Sequence, residues 1–367
     1  MIRVGSVDVY KFFFSWIIVI YHFYGSLTPR EYLPMGSVVV ELFILISGVF
    51  FFWGYDRQKE KQINTPEDYA APYAFLKKRF LRFIPYIVVA HIPAAIVRGW
   101  VYVQGRKTID FNRMLSWFSG DIWELLMVKM NGMNNNSSLL NVPAWTVGAM
   151  VMVEFVIFAL LVNHEKLFYT LICPCSILIG FGYWRHVSKD VIYNVWIGFT
   201  TFGIVRVFIS TCLSWYSYKL MKKLQSCHFT NVGRFLLTVC ECLLYGLSLY
   251  IIFQNYDSRN FRWMIILFFT LAVAITISGH SYTNVLFPSS RWTAYLGELS
   301  TGIYLIHCPF WKLYQHLWKD PHEMFTHVGS FLAIVLISAI VYVQLVKFVK
   351  QFSSIAYAYM KKACIQT

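Results

Sequence analysis

Long apolar segments alternate with short polar ones along most of the chain. About ten of the apolar segments are long enough for a membrane-spanning helix, which needs about 20 residues. They lie at residues 7–26, 36–54, 84–103, 144–163, 167–184, 190–215, 235–253, 262–279, 294–314 and 328–349. Because a bilayer forces such segments to satisfy their own backbone hydrogen bonds, we expect helices. The pattern predicts an all-α, polytopic transmembrane helical bundle that forms one membrane domain over residues 1–367.

A further segment, residues 109–130, is amphipathic and predicts a helix at the membrane surface or in a re-entrant loop. Only 14% of the residues are charged, against about 25% in a soluble domain, which agrees with a membrane protein. The net charge of +14 would suit a nucleic-acid-binding protein, but the cations cluster in the loops. Membrane topology and anionic lipids explain such clusters. We therefore expect membrane lipids, and no nucleic acid, among the partners.

Lys and Arg are more numerous in the loops that share a side with the N-terminus, chiefly in the 55–83 loop. This bias predicts that both termini are cytoplasmic. Two close cysteine pairs, Cys173 with Cys175 and Cys240 with Cys242, lack the paired two-residue spacing of zinc sites. From the cysteines we therefore expect neither a metal nor a disulfide framework.

The first apolar segment carries three polar side chains, Asp8, Lys11 and His22. On a helix, Lys11 and His22 are roughly 20° apart around the axis and roughly 16 Å apart along it, and Asp8 shares their face. Polar groups within a membrane usually face a bundle interior or a wet cavity. The stripe predicts a cavity across part of the membrane. A Lys11 that reaches the membrane surface and a structural His22 are the alternative.

Two other predicted spans carry polar residues at a depth similar to that of His22. Glu41 lies early in the second span, and His307 lies in the ninth span, one turn after Tyr304. Two histidines and a carboxylate suggest a general-base site, where an imidazole accepts the proton of an attacking hydroxyl and Glu41 orients the ring. An interhelical hydrogen bond of Glu41, and a His307 bond that stabilises a kink at Pro309, are the alternatives.

The fourth predicted span carries Trp145 near its outer end and Glu154 farther in. Trp145 also suits an ordinary aromatic belt at the membrane surface. Glu154 needs a partner within the membrane, and Arg98 or Arg206 could supply it. A structural ion pair and a catalytic role both remain open for Glu154.

Arg79 and Arg82 precede the third predicted span, on the side predicted to be cytoplasmic. Three residues apart on a helix, they share a face and could bind phosphates bidentately. A purely topological anchor is the alternative.

Five segments, in this order and spacing, resemble the integral-membrane acyltransferase family 3. They are Asp8-x-x-Lys11-x10-His22, Val39-Val-Glu41-Leu-Phe-Ile-Leu-Ile-Ser47-Gly48, Arg79-x-x-Arg82-x-x-Pro85, Trp145-Thr-Val-Gly-Ala-Met150 and Leu296-Gly-x-x-Ser300-x-x-Ile-Tyr304-Leu-Ile-His307-x-Pro309. The resemblance extends from residue 8 to about residue 310. It implies a helical bundle that transfers acyl groups, usually acetyl, from cytoplasmic acyl-coenzyme A to hydroxyls of cell-surface glycans.

The resemblance also implies roles for individual residues. His22 matches the catalytic histidine of the family, and Glu41 matches its acidic residue before the Ser-Gly pair, so both would act in catalysis. Lys11 stands where the family usually has arginine, which keeps the charge but loses the bidentate geometry. The residues that bind donor or substrate would be Asp8, Lys11, Ser47, Arg79, Arg82, Trp145, Tyr304 and His307.

With this resemblance, the sequence predicts a multi-pass O-acetyltransferase of the bacterial plasma (inner) membrane. Acetyl-coenzyme A, or another acyl-coenzyme A, would be a co-substrate rather than a bound cofactor. The acceptor would be a surface polysaccharide or its lipid-linked precursor, and polysaccharide-assembly proteins are candidate partners. The alternatives are a transporter or flippase of a glycan or lipid, in which the polar stripe binds the substrate in transit, and a glycan polymerase.

Overall fold

The structure is a computed structural model that describes residues 3–25, 33–61, 71–105, 110–129, 140–187, 196–197, 200–254 and 258–366. Most of these residues are helical. The helices are α1 (Gly5–Tyr24), α2 (Val39–Lys61), α3 (Ala71–Gly105), α4 (Phe111–Leu125), α5 (Ala144–Leu167), α6 (Cys173–Val187), α7 (Phe202–Gln225), α8 (Asn231–Phe253), α9 (Ser258–Ser278), α10 (Thr283–Leu286), α11 (Arg291–Leu317), α12 (Pro321–Thr326) and α13 (Val328–Gln366). Two short antiparallel strands, β1 (Trp196–Ile197) and β2 (Thr200–Thr201), precede α7.

Seven helical segments of the described residues are long and apolar enough to cross a membrane. They are Gly5–Tyr24, Gly36–Glu60, Ala71–Gly105, Ala144–Gly182, Asn231–Phe253, Phe261–Ser278 and Val328–Phe352. The all-α, multi-pass bundle is thereby confirmed, whereas the predicted number of about ten spans is not.

The difference in span number has two sources. The predicted spans 144–163 and 167–184 form one continuous segment, with a kink at His164 and a π-helical turn at Phe168–Ile172. Helices α7 and α11 have 24 and 27 residues but are not among the seven apolar segments. Part of the predicted span 190–215 lies outside the described residues. The sequence therefore predicts which segments are helical better than it predicts which helices cross the membrane.

Helix α3 extends beyond its predicted span, whereas α4 lies within the predicted amphipathic segment. Helix α3 begins at Ala71, so Arg79 and Arg82 lie within it instead of in the loop before it. The amphipathic segment 109–130 contains the helix α4, as predicted, and Asp110 caps its N-terminus by accepting from the backbone N–H of Asn112. Because Arg79 and Arg82 lie within α3, the helix holds both side chains at defined positions.

The close packing of α1 against α11 organises the centre of the bundle. This pair has the most extensive contact among the described helices, and α11 also packs on α3 and α13. A Cβ atom at Gly297 of α11 would overlap the carboxylate of Asp8 of α1. Glycine at position 297 therefore lets the polar faces of α1 and α11 approach each other.

A proline inside α11 leaves a carbonyl that a residue just before α5 satisfies. Pro309 has no N–H, so the carbonyl of Leu305, four residues earlier, loses its helical donor. The side-chain amide of Asn141 donates to this carbonyl at 2.8 Å. Such compensation is needed because an unsatisfied backbone group is costly in an apolar environment.

Asn141 is itself held by the buried carboxylate of Glu124. That carboxylate accepts from the backbone N–H groups of Leu140 and Asn141, each at 2.9 Å, and contacts Nε2 of His91 at 3.0 Å. Burial alone would raise the pKa of Glu124. The hydrogen bond and charge of His91, the Asn141 amide and the charge of Lys129 together outweigh burial and hold that pKa below its ordinary value. This network fixes the start of α5 against α3 and α4.

Candidate active site

Two histidines from distant parts of the chain face each other between α1 and α11. The ring centroids of His22 and His307 are 5.1 Å apart, and the Trp311 ring is 5.7 Å from His22. His307 is fully buried, whereas His22 is partly exposed. The sequence predicts a similar depth for the two residues, and the packing of α1 on α11 brings them into contact.

The hydrogen bonds of His307 define the tautomer of its ring. Its Nδ1 lies 2.8 Å from the carbonyl oxygen of Tyr304 and 3.2 Å from that of Ile303. Because a carbonyl oxygen only accepts, Nδ1 carries the hydrogen and donates it. In the neutral ring, Nε2 then has the lone pair, and it lies 3.3 Å from Sγ of Cys308.

The structure argues against His307 as a residue that stabilises the kink. The carbonyl that Pro309 frees is that of Leu305, and it accepts from Asn141. His307 binds the carbonyls one turn before it instead. Sequence reasoning missed Asn141, although a proline within a membrane helix does predict that an outside donor is needed.

His22 has ring nitrogens that are free to meet a substrate. Its contacts with described residues are ring contacts with Tyr21, His307 and Trp311, and within the described part of the chain neither nitrogen has a hydrogen-bond partner. The ring is also partly exposed. An imidazole in this state can accept a proton from a hydroxyl that binds beside it.

Glu41 binds an arginine, where the sequence predicts a carboxylate that orients a histidine ring. Nε and Nη2 of Arg206 donate to Oε1 of Glu41 at 2.9 and 2.6 Å, and both side chains are fully buried. Among the described hydrogen bonds, none joins Glu41 to either histidine. The contacts of Glu41 are therefore those of an interhelical hydrogen bond, which is the alternative that its sequence position left open.

The guanidinium of Arg206 also lies 5.2 Å from the ring centroid of Trp145, which is buried. The contact is a cation–π interaction. Trp145 therefore packs inside the bundle and is not part of a lipid-facing aromatic belt.

Tyr304 connects three helices between the histidines and this ion pair. Its hydroxyl lies 2.6 Å from Oγ1 of Thr146 in α5, and Phe43 of α2 stacks on its ring at 5.6 Å. Its ring centroid is 6.3 Å from that of His307. Tyr304 therefore lies one turn from His307, within the bundle interior.

The predicted partners of Glu154 are wrong. Arg98 pairs with Asp121 of α4, and Arg206 pairs with Glu41. Glu154 pairs with Arg79 of α3 instead.

Ser47 of α2 joins this second buried ion pair. Nη2 of Arg79 donates to Oγ of Ser47 at 2.9 Å, and that hydroxyl donates to Oε1 of Glu154 at 3.0 Å. The three side chains tie α2, α3 and α5 together. Ser47 and Glu41 are six residues apart on α2, so the two ion pairs are separated by roughly 9 Å along that helix.

On the C-terminal side of Ser47 in α2, a cavity of about 1040 Å³ opens between α2, α3 and α5. Its lining combines four cations and one carboxylate, that of Glu60, with aromatic rings. The cations are Arg57, Lys78, Arg79 and Arg82, and the aromatic residues are Phe50, Phe51, Tyr55, Phe75 and Phe158. Such a lining suits a ligand that carries both anionic groups and a flat ring.

Lys11 links α1 to this end of the bundle. It lies within electrostatic range of Asp8, Arg3 and Arg82, and Arg82 lines the cavity. Nε of Arg3 donates to Asp8 at 2.6 Å, whereas Lys11 forms no hydrogen bond or ion pair with any residue that the structure describes. The amine of Lys11 is thus available to a ligand on the polar face that also bears His22.

A family model described as an acyltransferase domain matches residues 4–343 of the chain. The match includes both histidines, both buried ion pairs and the cavity. No curated protein and no solved structure gives a match.

Proposed function

Because the chain belongs to acyltransferase family 3 and is a membrane acyltransferase, we propose that it is an O-acetyltransferase that modifies a cell-surface glycan. It would move acetyl from cytoplasmic acetyl-coenzyme A to a hydroxyl of a surface polysaccharide or its lipid-linked precursor. The observation that carries the proposal is the placement of α1. Its Lys11 lies near the cationic cavity, and its His22, with no hydrogen-bond partner among the described residues, lies farther along the same polar face.

The cavity is the candidate site for the acyl-coenzyme A donor. Arg82, Lys78 and Arg57 offer charged donors to phosphates, and guanidinium groups bind phosphate bidentately. The aromatic side chains of the lining offer surfaces on which an adenine ring can stack. Arg79 could also reach a phosphate, although it would then share its charge with Glu154.

In this proposal the arm of the donor extends from the cavity along α1 towards His22. Lys11 and His22 are roughly 16 Å apart along the helix, so α1 spans the distance between the charged end of the donor and its thioester. Lys11 would bind the donor at the start of this path. Asp8 and Arg3 would position Lys11 through their own ion pair.

The chemistry would require one base near the acceptor hydroxyl. His22 takes the hydroxyl proton as the oxygen attacks the thioester carbonyl, and the carbon–sulfur bond then breaks. The coenzyme A thiolate leaves and recovers the proton from the His22 imidazolium. The products are the acetyl ester and coenzyme A with a free thiol, so atoms and charges balance.

The remaining predicted site residues would act on substrate position. His307 borders the space beside His22, and Tyr304 lies next to His307. Glu41 would act as a positioning residue through Arg206 and Trp145, since its carboxylate binds Arg206. Its predicted direct role in catalysis remains a prediction.

The proposed orientation has both termini and the 55–83 loop in the cytoplasm of a bacterium, with the cavity facing the cytoplasmic donor. The histidines would then lie nearer the outer face of the plasma (inner) membrane, where a lipid-linked glycan presents its hydroxyls. Polysaccharide-assembly proteins would be partners that deliver or receive the acceptor.

The test is transfer from acetyl-coenzyme A by the purified chain with a glycan acceptor. A positioned base contributes about 10²–10⁴-fold, so His22→Ala should lower kcat by that order and leave the donor KM nearly unchanged. Lys11→Ala should raise the donor KM, and Lys11→Arg should retain activity because it keeps the charge.

Each rate is expressed per folded molecule, with thermal unfolding as the control for structure. Near-normal turnover by folded His22→Ala would eliminate His22 as the base. An unmodified chain that consumes no acetyl-coenzyme A with any glycan acceptor would favour the transporter alternative.

A further inference from the structure

His22, His307 and Cys308 meet at one point between α1 and α11. Each offers one ligand atom, an imidazole nitrogen or the thiol sulfur, and these atoms lie within 4.8 Å of one another. In a tetrahedral zinc site, neighbouring nitrogen and sulfur ligands are about 3.6 Å apart, from Zn–N and Zn–S bonds of about 2.0 and 2.3 Å. Nε2 of His307 and Sγ of Cys308 are already 3.3 Å apart. The ligand nitrogen of His22 lies within 4.8 Å of both atoms, so a small movement of its ring would complete the set.

The ring of His307 is oriented as metal-binding histidines are. Its Nδ1 donates to the carbonyl oxygens of Tyr304 and Ile303, and this fixes the lone pair on Nε2, towards Cys308. Metal-binding histidines almost always donate their other ring N–H to a carbonyl, carboxylate or water in this way. The backbone carbonyls of α11 therefore orient the His307 ring so that Nε2 can bind a metal ion.

The surroundings of the three side chains select the kind of ion. His307 and Cys308 are fully buried, and the partly exposed His22 ring leaves one side of the cluster open. Imidazole and thiolate ligands favour zinc and softer ions, whereas magnesium and calcium require oxygen ligands. The expectation of no metal rested on cysteine pairs that are close in sequence, and this cluster joins residues from opposite ends of the chain.

We propose that His22, His307 and Cys308 bind a zinc ion whose fourth position is open to water. The thiol of Cys308 releases its proton to solvent on binding, so that two neutral imidazoles and one thiolate hold the ion. The bound zinc occupies the lone pair that His22 would use as a base. Zinc therefore inhibits acyl transfer, a consequence that rests on the proposed function, whereas the binding itself does not.

The test uses the purified full chain in detergent and Co²⁺ as a coloured substitute for zinc. One equivalent of cobalt should give a saturable thiolate-to-cobalt charge-transfer absorption, and zinc should abolish it. Cys308→Ser should lack this absorption. The matched control is Cys212→Ser, which removes another fully buried thiol, located in α7, and should keep it.

A second variant keeps the test decisive if Cys308→Ser folds poorly. His22→Gln should weaken cobalt binding by more than the roughly 10–100-fold that losing a hydrogen-bond partner of a ligand causes. Thermal unfolding without metal confirms that each variant is folded. A thiolate band that persists in Cys308→Ser, or an unchanged affinity in folded His22→Gln, would overturn the site.

Transfer rates then separate the site from its consequence. Zinc should inhibit the unmodified chain relative to its own zinc-free rate, and it should inhibit Cys308→Ser less at the same concentration. Cobalt binding through Cys308 in a chain without transferase activity would reject the proposed function and support the metal site. Full activity in the zinc-loaded chain would reject the inhibition.

Discussion

The two buried ion pairs of the bundle differ in their access to solvent. In Glu41–Arg206 the side chains are 0% and 1% exposed, whereas in Glu154–Arg79 the arginine is 13% exposed and lines the cavity. A fully buried arginine such as Arg206 can contact a ligand only if the helices of the bundle move apart. An arginine at a cavity wall can share its charge with an entering anion. We therefore expect Glu41–Arg206 to act on stability and Glu154–Arg79 to act on ligand binding.

The two pairs also differ in the groups around them. Arg206 packs its guanidinium against the ring of Trp145, and both side chains of the pair are buried. Arg79 binds Ser47 as well as Glu154, so part of its hydrogen bonding goes to a neutral hydroxyl. A neutral partner is exchanged for a phosphate at less cost than a carboxylate is, because no buried charge is left uncompensated.

The largest expected effect is that of Arg206→Ala on stability. The change leaves the Glu41 carboxylate buried without its partner, and such a loss costs about 3–5 kcal/mol. The free energy of unfolding, measured by denaturation in detergent, should fall by that amount. If the variant unfolds at the same denaturant concentration as the unmodified chain, the Glu41 carboxylate does not depend on Arg206 for its stability.

A double replacement provides the control and also tests Glu41. Glu41→Leu with Arg206→Met removes both charges, which is often neutral or stabilising for a buried pair. If this folded variant keeps its rate of acyl transfer, Glu41 has no part in catalysis. A stable variant with lost kcat would support the predicted catalytic role.

The second-largest expected effect is that of the Glu154–Arg79 pair on binding of the acetyl-coenzyme A donor. Glu154→Gln serves as the background, so that removal of Arg79 leaves no unpaired buried carboxylate. In that background, Arg79→Ala should raise the KM for acetyl-coenzyme A by about ten- to a hundredfold, since a hydrogen bond to a charged group contributes about 1.5–3 kcal/mol. Arg82→Ala should act in the same direction.

The matched control for these arginines is Arg98→Ala. Arg98 also lies in α3, but it pairs with Asp121 and is not among the residues that line the cavity. Its loss should leave the donor KM unchanged. Equal KM values for all the arginine variants would return Arg79 and Arg82 to the role of topological anchors.

The smallest effect is that of Ser47→Ala. This change removes the hydroxyl between Arg79 and Glu154 but leaves their direct ion pair, so Arg79 keeps its charge at the cavity wall. The donor KM should rise by less than about tenfold. Ser214→Ala is the control, because that hydroxyl bonds to the carbonyl of Ser210 in its own helix. A larger effect of Ser47→Ala than of Arg79→Ala would mean that Ser47 itself binds the donor.

Part of the site could be predicted from the sequence because polar residues are rare in apolar helices. Asp8, Lys11 and His22 are recognisable on one face of α1 from helical geometry alone. Glu41, Glu154 and His307 stand out in the same way. Asn141 and Cys308 do not, because an amide in a polar segment and a thiol in an apolar one are ordinary residues.

By itself, the sequence determined the helical, membrane-embedded character of this protein, because the length and apolarity of a segment decide how it meets a bilayer. It also determined the polar positions within the helices. Only the tertiary structure decided how those positions are paired. Any buried carboxylate attracts any nearby arginine, so charge does not identify the partner, and the choice of Arg79 over Arg98 or Arg206 for Glu154 depends on which helices pack together. The meeting of His22 with His307 and Cys308 depends in the same way on the close contact of α1 and α11.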